Sequence, residues 1–497
     1  MRLASLWTDN AIIQRDKPIV LWGWCDAPRV RVDAELGPVH ATGAAGWDGR
    51  FELRLPALPT GGPYELHVKA TGGEECVLKN LLIGEVWLIS GQSNAEYPLK
   101  TFTPNDPRAQ TGLYLQEGGV DDKLRMFTVP RDSLATTCST VAPGACWKSS
   151  NAENAPDFSA VGAWFALYLR KHLPEIPVGV IHCSWGATNI WPWLSREALA
   201  AIPSGRPLLE EYDRLMNQPE TWASYPPPYS YTEQPPALLE QARATGKYSF
   251  RGYPVYDWNL PHKLFDTMLA PLIPYGLRGI LWYQGEEDAD FEKDFQPYHE
   301  RLLALVKDWR YRWADPELPF LCVQLESWCA PSTEGWAGIQ DTQRRLCLEM
   351  PNAGAVATND LSHDEPDNNH QHDKRPIGYR LAQLALGKTY GLNDVTPAGP
   401  TLTKVTAEGS SLRLHFLYAK GLHTSDGQPI RAFEIAGEDG SYHPAAAQID
   451  GEEILLSAPE VPVPKAARYN WRPRLPEGNL VNGAEQPALV FRQESSL

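Results

Sequence analysis

The chain has 497 residues, 43% of them hydrophobic and 21% charged, and its 45 Lys and Arg against 61 Asp and Glu leave a net charge of −16. That balance works against non-specific binding to nucleic acid or to anionic membrane, and favours a neutral or locally recognised substrate. No stretch approaches the run of about 18 apolar residues that spans a bilayer, and the opening MRLASLWTDN lacks the apolar centre of a signal peptide. The expected location is therefore cytoplasmic, or periplasmic or secreted if a leader has been trimmed.

A length prior of about 150 residues per domain divides the chain into roughly three. With 44 prolines and 39 glycines, an all-helical fold is disfavoured. From Leu3 to about Asn80, alternating segments (Pro18 to Trp24, Arg29 to Leu36, Arg50 to Pro56, Tyr64 to Ala70) are separated by turn residues, the spacing of a small antiparallel β-domain over 1–80.

From Leu81 the texture becomes apolar strands alternating with helical patterns. Val86 to Ser90, Val178 to Trp185, Gly279 to Gln284 and Pro319 to Leu325 read as parallel strands. Ser159 is placed to cap a helix whose basic last turn suits the helix dipole; two more helices are expected over Tyr298 to Trp313 and Ile377 to Tyr390. This alternation implies an α/β domain with a mostly parallel sheet over 81–392. Residues 202–256, rich in proline and aromatics, interrupt it and read either as a lid-like insertion or as a surface excursion. Strand texture returns in Leu412 to Ala419 and Ala432 to Gly437, a second β-domain over 393–497.

Eight cysteines are scattered without a C-x-x-C pair, which excludes a zinc knuckle or a thioredoxin-type motif. Cys138 and Cys146 share one loop and could bridge in an oxidising compartment.

Ligands of open α/β sheets sit beyond the carboxyl ends of the strands, and polar motifs follow each of those ends here. After the first comes the turn Gly91-Gln92-Ser93-Asn94. It either presents Ser93 as a nucleophile, with Asn94 able to donate from its side chain, or is an ordinary turn. After the second comes Trp185-Gly186, and after the third Gln284-Gly285-Glu286. The fourth segment carries Asp360, His363, Asp364, Asp367, His370 and His372. There, Asp367-x-x-His370 has the spacing of a carboxylate that orients a base: His370 would take the Ser93 proton and Asp367 would steady the imidazolium, with Asp360 in reserve. The same cluster could bind a divalent metal, although H-E-x-x-H is missing, so no metal or other cofactor is assigned. Ser184 matches only the second glycine of a nucleophile elbow, His182 standing at the first, and reads as scaffold.

The order GQSN, SWG-x-T, WYQGE and a late histidine ahead of K-x-x-x-G-x-RLA resembles the SGNH hydrolase superfamily. More closely, it resembles the sialate O-acetylesterase family and its bacterial relatives that deacetylate xylan and other glycans. The resemblance spans nearly the whole chain, from LWTDNAIIQRDKPIVLWGW to NLVNGAEQPALVFR. It implies a three-layer α/β/α domain flanked by β-domains, a serine O-acetylesterase needing no cofactor, and an acetylated carbohydrate as partner. It further implies Ser93 as nucleophile, His370 as base, and an oxyanion hole from the Ser93 amide, Gly186 and a polar side chain near Gln284. Gln92, Asn94, Glu286 and Trp185 are the accompanying oxyanion or substrate-binding candidates. Departures are Asp288, where the family commonly has asparagine, and Gln371 and His372, in place of the usual proline and basic residue. Trp185, Trp191, Trp193 and Trp258 are candidates to stack on sugar faces, with core packing as the alternative. A non-catalytic glycan-binding protein on the same fold and a metallohydrolase are the competing functions. A sialate carboxylate would call for an arginine such as Arg251 or Arg278.

Overall fold

One strand, Glu75–Gly91, organises the molecule. Its first six residues are exposed or half-buried, whereas every residue from Leu81 onward is buried. Half-exposed strands suit an antiparallel sheet with one wet face, and continuous apolar runs suit a parallel sheet covered on both sides. Pairing follows that division: the first part runs antiparallel to Gly61–Ala70, and the second runs parallel to Val178–Ser184 and to Gly279–Tyr283. Burial changes between residues 80 and 81, and the partners change just after it, antiparallel pairing reaching Ile83 and parallel pairing with Val178–Ser184 starting at Glu85, all inside an unbroken strand.

The structure is a computed structural model that describes residues 1–102, 106–132, 141, 144–217, 249–250, 253–254, 257–291, 295–328, 333–361, 368–472 and 477–495. Most of the 202–256 insertion, together with Arg251, Cys138, His363, Asp364 and Asp367, lies outside the described residues. Cys146 is an exposed free thiol.

At the N-terminal end, Arg2–Leu3, Ile19–Trp24 and Arg50–Leu55 form one antiparallel sheet, while Arg31–Leu36, Val39–Ala44 and Gly61–Ala70 join the long strand in another. The central sheet continues through the long strand in the order Trp147–Ser150, Asp121–Thr128, Val178–Ser184, Glu75–Gly91, Gly279–Tyr283, Phe320–Val323 and Ala353–Val356, all neighbours parallel except the first pair. The long strand comes first in the chain yet lies mid-sheet, so connections leave it to both sides and a crevice opens at its carboxyl end.

Helix Ala160–His172 begins where Ser159 accepts from the Gly162 amide at 3.2 Å, and ends in Arg170, Lys171 and His172. It packs on Arg375–Lys388; Gln296–Arg312 packs on Thr333–Glu349. Beyond them, two four-stranded antiparallel sheets enclose a separate core that includes Leu402, Leu412, Ile435, Ile454 and Phe491. The molecule is thus α/β with mixed sheets and additional β-sheet regions at both ends. No helix among the described residues is long and apolar enough to cross a membrane.

Candidate active site

The long strand ends at Gly91 with φ +139°, where a Cβ would stand 1.9 Å from the carbonyl oxygen of Tyr283 on the neighbouring strand. Glycine is required because this backbone conformation is nearly closed to other residues and the adjacent main chain leaves no room. The chain then turns into the short helix Ser93–Glu96, whose first residue is half-buried in the crevice. At the first helical position, the Ser93 amide has no intrahelical acceptor.

Across the crevice, the segment preceding helix Arg375–Lys388 brings His370 to Ser93, with Nε2 at 2.7 Å from Oγ. The His370 amide donates to Asn368 Oδ1 at 2.8 Å, and Asn368 Nδ2 donates back to the His370 carbonyl at 3.0 Å. Burial, reinforced by the charge of Lys374 and by His372, lowers the imidazole pKa to about 4. A neutral ring that accepts from a serine hydroxyl can act as a general base. Asp360 is turned elsewhere: both its oxygens accept from Arg380, at 2.7 and 2.5 Å.

Several candidate donors are already committed. The Gly186 amide donates to Glu96 Oε2 at 2.9 Å, and Arg131 donates to the other oxygen of that carboxylate. Gly186 nevertheless lies against Ser93, since a Cβ there would come within 3.3 Å of Ser93 Cβ. Gln284 is fully buried and its Nε2 donates to Asp288 Oδ2 at 2.6 Å, to the Thr188 carbonyl at 3.0 Å and to Gln92 Oε1 at 3.2 Å, so it offers no N–H to the crevice in this state. Gln92 is buried too, its Oε1 accepting from the amides of Gly285 and Glu287 at 3.3 Å each. The departure to Asp288 is not explained by its contacts, which an asparagine oxygen would accept equally. One oxygen, Oδ2, accepts both from Gln284 and from the Ile190 amide, the latter at 2.9 Å.

Asn94 and Glu286 are likewise internal. Asn94 Nδ2 donates to Glu286 Oε1 at 2.6 Å and to the Asn369 carbonyl at 2.8 Å, with Glu326 Oε1 at 3.3 Å, while Lys374 donates to Asn94 Oδ1. Burial raises the pKa of both carboxyls, Glu286 further through repulsion by Glu326.

Of the aromatic candidates, Trp191, Trp193 and Trp258 are buried, but Trp185 is only half-buried; it stacks on Trp258 at 5.6 Å and 9°, with the Arg131 guanidinium 5.4 Å from its ring. The Trp185 amide donates to the Gly91 carbonyl at 3.1 Å, which ties this loop to the turn that carries Ser93. Phe102, not singled out by its sequence, is 48% exposed and meets the His370 ring edge to face at 6.1 Å. Ser184 is buried and bonded to His182 Nε2 at 2.5 Å. Arg278 precedes its strand and donates to Glu85 at 2.5 and 3.1 Å, at the opposite end of the sheet from Ser93. Among the described residues, no cluster of three or more His, Cys, Asp or Glu could hold a metal ion.

A family model described as "Carbohydrate esterase, sialic acid-specific acetylesterase" matches residues 248–387. The chain is 28% identical over 474 residues to the sialate O-acetylesterase of Mus musculus, covering 88% of this chain and 82% of that protein. With the Homo sapiens sialate O-acetylesterase it shares 26% identity over 468 residues, 88% of this chain and 80% of the human one. Among solved structures, a carbohydrate acetylesterase from Xanthomonas citri superposes with a TM-score of 0.79 at 29% identity, over 99% of each chain.

Proposed function

We propose, for a chain that belongs to the sialate O-acetylesterase family of carbohydrate esterases, that Ser93 and His370 remove acetyl groups from acetylated glycans through an acetyl-serine intermediate. The observation that carries this assignment is the 2.7 Å bond between Ser93 Oγ and His370 Nε2, groups 277 positions apart.

In this reading, His370 takes the Ser93 proton as Oγ attacks the acetyl carbonyl. The tetrahedral oxyanion is received by the Ser93 amide and, once Glu96 gives way, by the Gly186 amide. The C–O bond to the sugar breaks, and the departing oxygen takes the proton from His370. Water, deprotonated by the same imidazole, then releases acetate. Donors aimed at the oxyanion are typically worth about 2.7–4 kcal/mol each in such reactions. Asp367, three residues before His370, remains the proposed acid. Trp185 and Phe102 offer ring faces beside the crevice for a sugar.

The two helix pairs and the mostly parallel central sheet support an SGNH-type three-layer α/β/α domain over 81–392, with β-domains over 1–80 and 393–497. The test is acetate release from a chromogenic acetate ester and from acetylated sialo- and xylo-oligosaccharides, comparing the native protein with Ser93→Ala and adding a chelator to the native protein. Loss of turnover in Ser93→Ala, with chelator-insensitive native turnover, is expected. Equal rates in both proteins would refute Ser93 as nucleophile, native inactivity on every ester would favour a glycan-binding module, and chelator sensitivity would favour a metallohydrolase.

A further inference from the structure

We infer that Asn94, clamped between Lys374 and the carboxyls of Glu286 and Glu326, is the positioning residue that holds the base at its distance from the nucleophile. This rests on the reading of Ser93 and His370 given above. Asn94 follows Ser93 directly, and the carbonyl that it holds, that of Asn369, directly precedes His370. The amide therefore spans, one residue away, the same gap as the Ser93–His370 bond. Two short contacts, 2.6 Å to Glu286 Oε1 and 2.8 Å to the Asn369 carbonyl, use the two N–H bonds that an amide nitrogen offers.

The orientation of this amide is fixed from both ends. Lys374 donates to Oδ1, so a flipped amide would turn its N–H groups on the ammonium and its oxygen on a carboxyl and a carbonyl. Asn94, Lys374 and Glu326 are completely buried and Glu286 nearly so, leaving no water to replace a lost partner. Tyr283 Oη donates to Glu326 Oε2 at 2.8 Å, which fixes the second carboxyl in turn. Segments after three central strands and the start of helix Arg375–Lys388 thus meet at one side chain. A single ammonium faces two carboxyls there; burial raises the pKa of both, and repulsion by Glu326 adds to it for Glu286, pushed up to about 8, so the pair retains a proton at neutral pH and the cluster carries little net charge.

Among the described residues, the titratable groups facing His370 are Ser93 across the crevice, Tyr97 with its ring 6.3 Å away, and Lys374 and His372 from its own segment. Behind these stand Glu286 and Glu326 through Asn94, and Asp106, 3.8 Å from His372. Removing the Lys374 charge should therefore raise the pKa of the base.

The experiment measures kcat and KM on a chromogenic acetate for Asn94→Ala and Lys374→Met, with active sites counted by a serine-reactive phosphonate so that misfolded protein drops out. For Asn94→Ala, kcat per titrated site is expected to fall about 30- to 100-fold with KM within about twofold, the cost of a base displaced by the order of 1 Å. For Lys374→Met, the acid limb of kcat/KM should move to higher pH. A kcat per titrated site within about threefold of the native value overturns the inference. If Asn94→Ala does not fold, an unmoved acid limb and native kcat in Lys374→Met overturn it equally. Activity surviving in Ser93→Ala would instead remove the reading beneath it.

Discussion

The state of His370 makes the site testable by acidity alone. An ordinary imidazole titrates near pH 6.5, but burial, with Lys374 and His372 nearby, lowers this one to about 4. A base works only when neutral, so activity should be present above the folded-state pKa and be lost as pH falls through it. At pH 5 a group with a pKa of about 4 is roughly 90% neutral, whereas one at about 6.5 is roughly 3% neutral, a difference of about 30-fold in expected rate. The assay is kcat/KM for an uncharged acetate ester between pH 7 and 3, read in the first seconds after a pH jump, with tryptophan fluorescence reporting that the protein remains folded. A plateau down to about pH 5 and half-activity near pH 4 is expected. Half-activity near pH 6.5 in folded protein would refute the argument, since the imidazole would then be neither desolvated nor facing an ammonium.

Two further substitutions test the surroundings of Ser93. Glu96→Gln keeps an acceptor for the Gly186 amide but removes its charge, and charge-assisted bonds are about twice as strong as neutral ones. The amide should pass more readily to the oxyanion, raising kcat/KM on a small ester about fivefold; an unchanged or lower value would show that Gly186 does not serve the oxyanion. Gly91→Ala places a Cβ on the Tyr283 carbonyl at φ +139°, and strain plus overpacking should cost about 2–6 kcal/mol. Urea unfolding checks this, and a loss below about 1 kcal/mol would mean that the strand tip adjusts freely.

Much of the site can be read from linear sequence because its chemistry follows strand ends. Ser93 and His370 announce themselves by turn residues and by a histidine amid carboxylates, and the structure brings them together. What sequence could not reveal is the commitment of each donor. Gln284 and Asn94 look like free amides in their motifs, yet their partners lie up to 192 and 280 positions away. Glu96 and Arg131 escaped notice because an acid in a first helical turn and a lone arginine are commonplace. In the fold, the strand Val39–Ala44 is hidden by its small residues and glycine, no position of it being fully buried. The helix Thr333–Glu349 is hidden by Gly335 and Gly338, although Gly338 is there to admit Phe295, whose ring would stand 2.1 Å from a Cβ. Tertiary contact, not local preference, sets both.

Because Glu75–Gly91 carries the N-terminal strands at one end and Ser93 just beyond the other, the two share a backbone with no joint between them. One apolar core runs beneath both, from Leu3 through Leu88 to Leu386. Severing the chain anywhere along this strand would unzip a ladder and open that core together, so the module cannot be exchanged between relatives as a detachable cassette. A force or a ligand acting on the outer ladder would be felt at the Ser93 hydroxyl as a pull along a taut cable.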